Sequence, residues 1–320
     1  MRILIWHVHG SWTANFVRGG HEYLVPYSSE HGAFGIGVPG DDWGPSARDV
    51  TPEQLRNEPV DVIVFQRMEE IDLAKRWLGR IPGKEIPSIY LEHNTPGGDP
   101  CRVRHPLADQ SDIPIVHVTH FNRLFWDNGQ ANVQVIEHGV ADPGHRFSGE
   151  VPAAAIVVNE PLRRGRAVGT DLLPVFARAV DLDVYGMKVT GLVREFGFAR
   201  DRVREHESLP QPSMLEAIAR RRTYIHPVRW TSLGLSLIEA MMLGLPPVVL
   251  AATEAVEAVP HGGGVVSTDL DVLTSAAERY VRDSRLAAEH GAVAREHAVQ
   301  RYGLDRFLAD WDRLLREVGP

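Results

Sequence analysis

Residues 222–259 read RTYIHPVRWTSLGLSLIEAMMLGLPPVVLAATEAVEAV, and no other stretch limits the fold so tightly. A short β-type run ends at His226-Pro227. A loop over 228–232 follows, then a strongly apolar helix over 233–243 whose one acid is Glu239. Gly244 stops that helix, because glycine takes up the left-handed conformation that closes one, and Pro246-Pro247 forbids its return. Val248-Val249-Leu250 then starts another strand. Strand, polar loop, buried helix, strand is a βαβ crossover, the connection parallel strands require. Glu239 is the odd residue. A carboxylate on so apolar a helix costs several kcal/mol (roughly) unless it is paired or hydrogen-bonded. Either a neighbouring arginine or solvent satisfies it, or it meets the hydroxyls of a ligand such as a sugar.

The same stretch resembles the C-terminal half of the family-4 retaining glycosyltransferases of the GT-B fold. Their motif carries an early glutamate in the loop, then Glu-Ala-Met, then Gly-x-Pro-Val-Val. Glu239-Ala240-Met241 with Gly244, Pro246, Val248 and Val249 matches it, while Thr231 stands where the family has the early glutamate. The resemblance implies an α/β chain of two Rossmann-like domains with parallel sheets facing a central cleft. It implies transfer of a sugar from a UDP- or GDP-sugar to an acceptor hydroxyl with retention of configuration. It implies no metal and no cofactor beyond the nucleoside-diphosphate sugar as co-substrate. In such enzymes Glu239 holds the ribose hydroxyls, and Thr231, Ser232, Leu233, Gly234 and His226 belong to the donor site.

Length and composition fit that expectation. The 320 residues suit two domains rather than one. We expect a first domain over 1–146, a donor domain over 147–303, and a final helix over 304–320 that returns to the first domain, as the last helix of GT-B proteins does. A net charge of −8 argues against a general nucleic-acid or anionic-membrane partner. The single cysteine, Cys101, allows no intrachain disulfide and fits a reducing cytoplasm. The opening MRILIWHVHGSW is too short and too interrupted by histidine for a secretory leader, and no run approaches the ~20 apolar residues of a membrane span.

In the first half, residues 2–8 read as a buried strand that ends in His7-Val8-His9-Gly10. Ligands of open α/β sheets sit beyond such ends. His7 and His9 face the same side of a strand, as a polar lining or one half of a metal site. Arg18-Gly19-Gly20-His21 reads either as a flexible turn or as a Gly-Gly opening a helix, where bare N–H groups suit an anion. The family carries Gly-Gly-x-Glu after its first strand, which favours the second reading, and Gly10 is a rival for the same role. Residues 35–46 are turn-rich loop, and Thr51-Pro52 starts a helix as cap and first-turn proline. Strands follow over 60–66, 87–91, 115–119 and 133–137, with a helix over 69–78. His93 and Asn94 stand where the second of these strands runs into Pro96-Gly97-Gly98. They stabilise the loop or line a site. Family members carry a histidine at this junction near the reacting sugar, so the resemblance makes His93 a catalytic candidate.

In the second half, residues 153–158 form the first strand of a second parallel sheet. The segment 159–171 (NEPLRRGRAVGTD) sets three arginines before the next helix, over 172–180. Arginine forks match phosphate oxygens, although a solvated basic loop reads the same way. The family has an Arg and a Lys-Gly here. Arg163 takes the arginine position, Gly169 the glycine, Val168 the lysine position, and Arg166 is the nearest substitute. Residues 182–185 form a strand that ends at Gly186, a strand-Gly pair the family shares beside the donor. Strand 203–206 and helices over 213–221, 271–284, 284–302 and 304–318 complete the alternation.

A nucleotide-sugar-binding protein without transfer activity is the first alternative, motivated by Thr231 and Val168. An inverting GT-B transferase or an epimerase is the second, with His7, His9 or Glu22 as base. A dinucleotide oxidoreductase is disfavoured, because neither domain's first strand leads into Gly-x-Gly-x-x-Gly. The sugar, the acceptor and the oligomeric state are not legible.

Overall fold

The computed structural model describes residues 1–40 and 43–319. Asp41 and Asp42, within the segment 35–46 expected from the sequence as loop, and Pro320, the last residue of the expected final helix 304–320, lie outside the described residues. The chain divides into two compact units, one of Met1–Ala141 with Leu304–Pro320 and one of Asp142–Gly303.

The first unit runs β1 (Arg2–Ile5), α1 (Gly10–Phe16), β2 (Glu22–Pro26), β3 (Ala47–Val50), α2 (Pro52–Leu55), β4 (Val62–Phe65), α3 (Glu69–Leu78), β5 (Ser88–Glu92), β6 (Ile115–His117), α4 (His120–Phe125) and β7 (Val133–Val135). Its seven strands are all parallel, in the order β3-β2-β1-β4-β5-β6-β7. The run VIVF of β4 is fully buried, as a central strand covered on both faces demands. Thr51 and Gln54 close a reciprocal capping box on α2. After the first strand the chain forms the short α1 and then β2 and β3. Pro26 lies in no helix. It ends β2, whose EYLVP buries four of its five residues.

The second unit runs β8 (Val151–Val157), α5 (Pro161–Arg164), α6 (Leu173–Ala179), β9 (Leu182–Gly186), α7 (Leu192–Phe196), β10 (Val203–Glu207), α8 (Gln211–Ala219), β11 (Arg221–His226), α9 (Leu235–Leu243), β12 (Pro247–Leu250), α10 (Ala255–Ala258), β13 (Val265–Ser267), α11 (Leu270–Arg282) and α12 (Ser284–Tyr302). Its six strands are also all parallel, in the order β10-β9-β8-β11-β12-β13. In each sheet the first strand is central and the order reverses beside it, which makes a switch point where loops splay apart. The helix α13 (Leu304–Val318) belongs to the first unit. It buries Phe307, Trp311, Leu314 and Leu315, and Trp311 meets Trp12 and Phe16 at ring separations of 5.6 and 5.0 Å. Gly139 makes room for it, since a Cβ there would stand 2.2 Å from that of Phe307.

One face of the second sheet packs an apolar core onto α6 and α11. The other carries a buried ionic knot. Asp183 of β9 is fully buried and binds Arg204 (2.8 and 3.0 Å), His206 (2.7 Å) and Arg221 (3.0 Å). Arg221 starts β11, on the far side of β8, and β8 offers only alanine at 153–155, so its side chain has room to cross. The cationic partners outweigh burial and hold the Asp183 carboxyl far below the usual carboxylate range. A depressed carboxyl stabilises the fold above its unfolded pKa, and that contribution is lost as pH falls below it. Removing the charge leaves the nearly buried Arg221 uncompensated, so Asp183→Asn is expected to cost about 3–5 kcal/mol. Urea unfolding at neutral pH measures this. A loss below ~1 kcal/mol would show the knot to be dispensable.

Candidate functional site

Backbone strain marks one edge of the second sheet. Five non-glycine residues of the described chain have φ in the left-handed region, and four of them follow strands of this sheet at their C-terminal ends: Glu160 after β8, Lys188 after β9, Ser208 after β10 and Thr253 after β12. A β-branched threonine at φ 53° is uncommon, and strain of this kind is kept where loops are held for a purpose. Gly186 closes β9 at φ 140°. A Cβ there would stand 2.1 Å from the Val158 carbonyl oxygen, so no other residue allows the β8 and β9 loops this approach.

Carboxylates stitch these loops together. Glu160 binds Arg163 and Lys188, and their hydrogen bonds hold its carboxyl down at about 2. Glu207, at the end of β10, accepts from the backbone of Lys188 (2.6 Å) and Thr190 (3.0 Å). Asn159 accepts from the Met187 amide at 2.9 Å. Asp171 binds Arg166 at 2.7 Å and Arg229 at 2.6 and 3.0 Å, while the Arg229 and Trp230 amides donate to the Ala167 carbonyl. The basic segment is therefore not a loop before one long helix. It is α5, then two 3-10 turns over Gly165–Val168 and Thr170–Leu172, clamped to the loop that precedes α9.

This changes the standing of the arginines. Arg163 and Arg166, singled out in the sequence, are exposed and each already answers a carboxylate. Arg164 is the guanidinium of the segment with no hydrogen bond or ion pair among the described residues. Desolvation, and then Arg163, lower its pKa. Val168, at the family's lysine position, is buried in the apolar core and contributes nothing to the edge. Only the pairing pattern in space separates Arg164 from its neighbours, so a string of arginines could not.

Glu239 is buried in α9, and its partner is neither an arginine nor bulk solvent. The Gln211 side-chain amide donates to Oε1 at 2.6 Å. Burial raises the carboxyl's pKa against the opposing pull of that hydrogen bond. Gln211 opens α8 just beyond β10, so the pair lies towards the strained edge. Sequence reading missed Gln211, because nothing marks an exposed glutamine as a partner until the fold sets α8 against α9. The loop before α9 places Thr231 half-buried and Ser232 and Leu233 buried, with Gly234 as the N-cap. A Cβ on Gly234 would stand 2.9 Å from the ring of His226, which is buried at the end of β11 and pushed down to about 4 by desolvation. The first turn of α9 aims its free N–H groups and positive dipole end at this region.

The first unit gathers imidazoles at the equivalent edge. His9 and His93 rings lie 4.0 Å apart, His93 and His138 stack at 6.5 Å, and Trp12 meets His93 edge-on at 5.1 Å. Gln66, just after β4, donates from Nε2 to the Trp6 carbonyl at 2.8 Å. Its Oε1 therefore accepts from His93 Nε2–H at 3.1 Å, which leaves His93 Nδ1 as an acceptor. Burial pushes His93 well below its ordinary value, so it is neutral and suited to accept a hydroxyl proton in a hydrogen bond. His7 is turned away, its Nδ1 against the Gly37 carbonyl at 2.9 Å. Among the described residues no group of three or more His, Cys, Asp or Glu could hold a metal ion.

Gly19 and Gly20 are a correction. They do not open a helix. They lie in the turn between α1 and β2, and the register Arg2↔Glu22 puts that turn at the N-terminal edge of the sheet, away from the strand ends that bind ligands. Gly10 is the glycine that opens α1, at the C-terminal edge. The helix was hidden because GSWTANF lacks a capping side chain and is only seven residues long.

No family model matches the sequence, and no curated protein matches it at a significant level. Solved structures do match in shape. The chain is similar to a sucrose-phosphate synthase from Thermosynechococcus elongatus (14% identity, 99% of this chain and 98% of that one, TM-score 0.74). It is also similar to HepE from Anabaena in complex with UDP-glucose (15%, 99% and 100%, 0.72) and to a glycosyltransferase from Rickettsia africae (12%, 99% and 98%, 0.71). At such identities the likeness shows the fold, which is that of the GT-B glycosyltransferases.

Two outcomes follow from the site's electrostatics. Glu239 with a raised carboxyl opposes folding once it is charged, so Glu239→Gln is expected to leave the ligand-free chain as stable or up to ~1 kcal/mol more stable in urea unfolding. A loss above ~2 kcal/mol would make Glu239 a structural residue. His138 is buried and pushed down to about 3, so its ring resonances should not shift between pH 7 and 5 in an NMR titration, whereas a free imidazole moves near ~6.5. A midpoint above pH 5 would contradict the burial argument.

Proposed function

We propose that this chain is a glycosyltransferase that moves a sugar from a nucleoside-diphosphate donor, foremost a UDP-sugar, to an acceptor hydroxyl with retention of configuration. The observation that carries the reading is Glu239, a buried carboxylate whose one hydrogen-bond partner among the described residues is a neutral amide, towards the strained edge of a GT-B second unit. Ribose offers two adjacent hydroxyls, which a carboxylate accepts from at the cost of no further charge. HepE, of the same fold, is described with UDP, with UDP and glucose, and with UDP-glucose, which supports a uridine donor here.

On this reading Arg164, with Arg166 and Arg229 behind it, neutralises the diphosphate as the bond to the sugar breaks, and the N-terminus of α9 adds to that field. Gly186 lets the nucleotide approach the β9 loop. Thr231, Ser232, Leu233, Gly234 and His226 face the transferring sugar, and Thr231 in place of a glutamate shifts which sugar is taken. His93, with its Nδ1 acceptor, and Gly10 belong to the acceptor side. No metal is required, because basic side chains and helix termini fill its role. A second reading, nucleotide-sugar binding without transfer, is favoured by one observation: Val168 is core, so the cation the family keeps there has no direct successor.

Calorimetry with UDP-, GDP- and ADP-sugars tests the proposal. One nucleotide is expected to bind. Glu239→Ala should weaken it about 10–100-fold, the scale of hydrogen bonds to a charged group, Arg164→Ala about tenfold, and Arg163→Ala by less than threefold. Loss of binding in Arg163→Ala alone would reverse the assignment. Binding without donor turnover across a panel of hydroxyl acceptors would favour the second reading.

A further inference from the structure

Gln211 opens α8 between Pro210 and Pro212, whose rings fix their own φ. The chain reaches it from β10 through Ser208, which is left-handed at φ 48° and whose amide donates to the Gly186 carbonyl at 2.9 Å. Glu207 pins the same turn by accepting from the Lys188 and Thr190 amides. A held segment therefore delivers Gln211 to Glu239, although Gln211 is itself exposed.

Its amide donates to Oε1 of Glu239 at 2.6 Å. The other oxygen, Oε2, makes no hydrogen bond among the described residues and is not one of the atoms sealed from solvent without a partner, so it keeps an open side. An arginine in place of Gln211 would fork across both oxygens and cancel the charge. A glutamine takes one oxygen and leaves the charge in place. The neighbouring elements do not compete for it. Tyr224 of β11 is close enough to feel the carboxylate, but its hydroxyl pairs with that of Ser236 at 2.9 Å and burial pushes its phenol up, so it stays neutral. His226, at the end of β11, is neutral by burial, and β12 carries no ionisable side chain. On α8 the other ionisable residue is Glu216, which is exposed. Helix α12 packs on α9, and its Arg295 is taken by Asp142 and the Met242 carbonyl.

We infer that Gln211 is a positioning residue for ribose recognition: by holding Oε1 it fixes the Glu239 carboxylate with Oε2 left to the hydroxyls of a bound nucleotide. This rests on the donor reading of Glu239 given above and adds a residue that acts through it. Loss of the amide has two effects. The carboxylate regains rotamer freedom, and it protonates more readily, because burial then acts on it without the hydrogen bond that favours its charged form. A protonated carboxyl accepts more weakly from hydroxyls. A ligand that prefers the charged form loses affinity as pH falls through the carboxyl's pKa, so that loss begins at higher pH once Gln211 is removed.

Calorimetry on the full chain with UDP and with 2′,3′-dideoxy-UDP, repeated between pH 8 and 5, tests this. Gln211→Leu is expected to weaken UDP about tenfold at neutral pH, the scale of a hydrogen bond to a charged group, and Gln211→Glu, which keeps the shape but cannot donate, at least as much. The dideoxy nucleotide should lose less than about twofold in Gln211→Leu, since the hydroxyls through which Gln211 acts are gone. On acidification the variant should lose UDP at a higher pH than the wild type does. Where leucine disturbs α8, Gln211→Asn, whose amide is one methylene short of Oε1, repeats the comparison. A merely structural role would weaken both nucleotides alike and leave the pH dependence in place. Either of those results, or UDP affinity unchanged in Gln211→Leu, would overturn the inference. If Glu239→Ala weakens UDP and Gln211→Leu does not, this inference falls and the donor reading stands; if the wild type binds no UDP, it falls together with the uridine donor.

Discussion

Parallel pairing throughout both sheets is the constraint on which the rest depends. Strands that all run one way must be joined by crossovers, and every loop that leaves a strand then gathers on a single edge. Backbone N–H and C=O groups inside the sheet are satisfied by neighbouring strands, but those loops have no such partners. They are held instead by side chains, and here Glu160, Asp171 and Glu207 do that work for the second sheet. The left-handed backbone of Glu160, Lys188, Ser208 and Thr253 is a consequence. A loop pinned by several carboxylate contacts can be kept in a conformation it would leave if free.

The same arrangement explains what the edge has to offer. Carboxylates that organise loops also neutralise the nearest cations, so a count of arginines overstates the charge available to a phosphate. Arg163 and Arg166 are engaged, and Arg164 has no such partner among the described residues. Glu239 is the converse case, a carboxylate with no cationic partner among the described residues, held by Gln211 and set in the apolar helix that the opening sequence motif requires. Buried charge without a counter-charge is a poor way to stabilise a fold and a good way to hold ligand hydroxyls. In the first unit the histidines at the matching edge are kept neutral by burial, which makes them hydrogen-bonding groups rather than charges.

The sequence made the alternation of strands and buried helices legible, because continuous apolar runs such as VIVF and the Gly-Pro-Pro stop after α9 have few other structural uses. The Thr51 cap and the α13 stripe were readable for the same reason, since both depend on local spacing. β2 and β3 were not. EYLVP ends in a proline and ARDV is half polar, so their strand character comes from neighbours β1 and β2 rather than from themselves. At the site, Glu239 stood out as an acid in an apolar run, and His93 as a polar residue at a strand end. Gln211 and Arg164 did not stand out, because their distinction lies in which atoms they meet across the fold. The Gly19–Gly20 turn was misplaced for a related reason: two glycines signal a turn without telling which edge of the sheet it occupies.

The central claim is that a nucleoside-diphosphate sugar binds along the C-terminal edge of the second sheet. Hydrogen–deuterium exchange with and without UDP reads this directly, because loop amides there are held by side chains and respond to a ligand seated on them. The account predicts slower exchange over residues 159–171, 186–191, 208–211, 226–239 and 251–255, and no change in the Gly19–Gly20 turn. Unchanged exchange in all five segments at saturating UDP, or protection confined to the first unit, would contradict it.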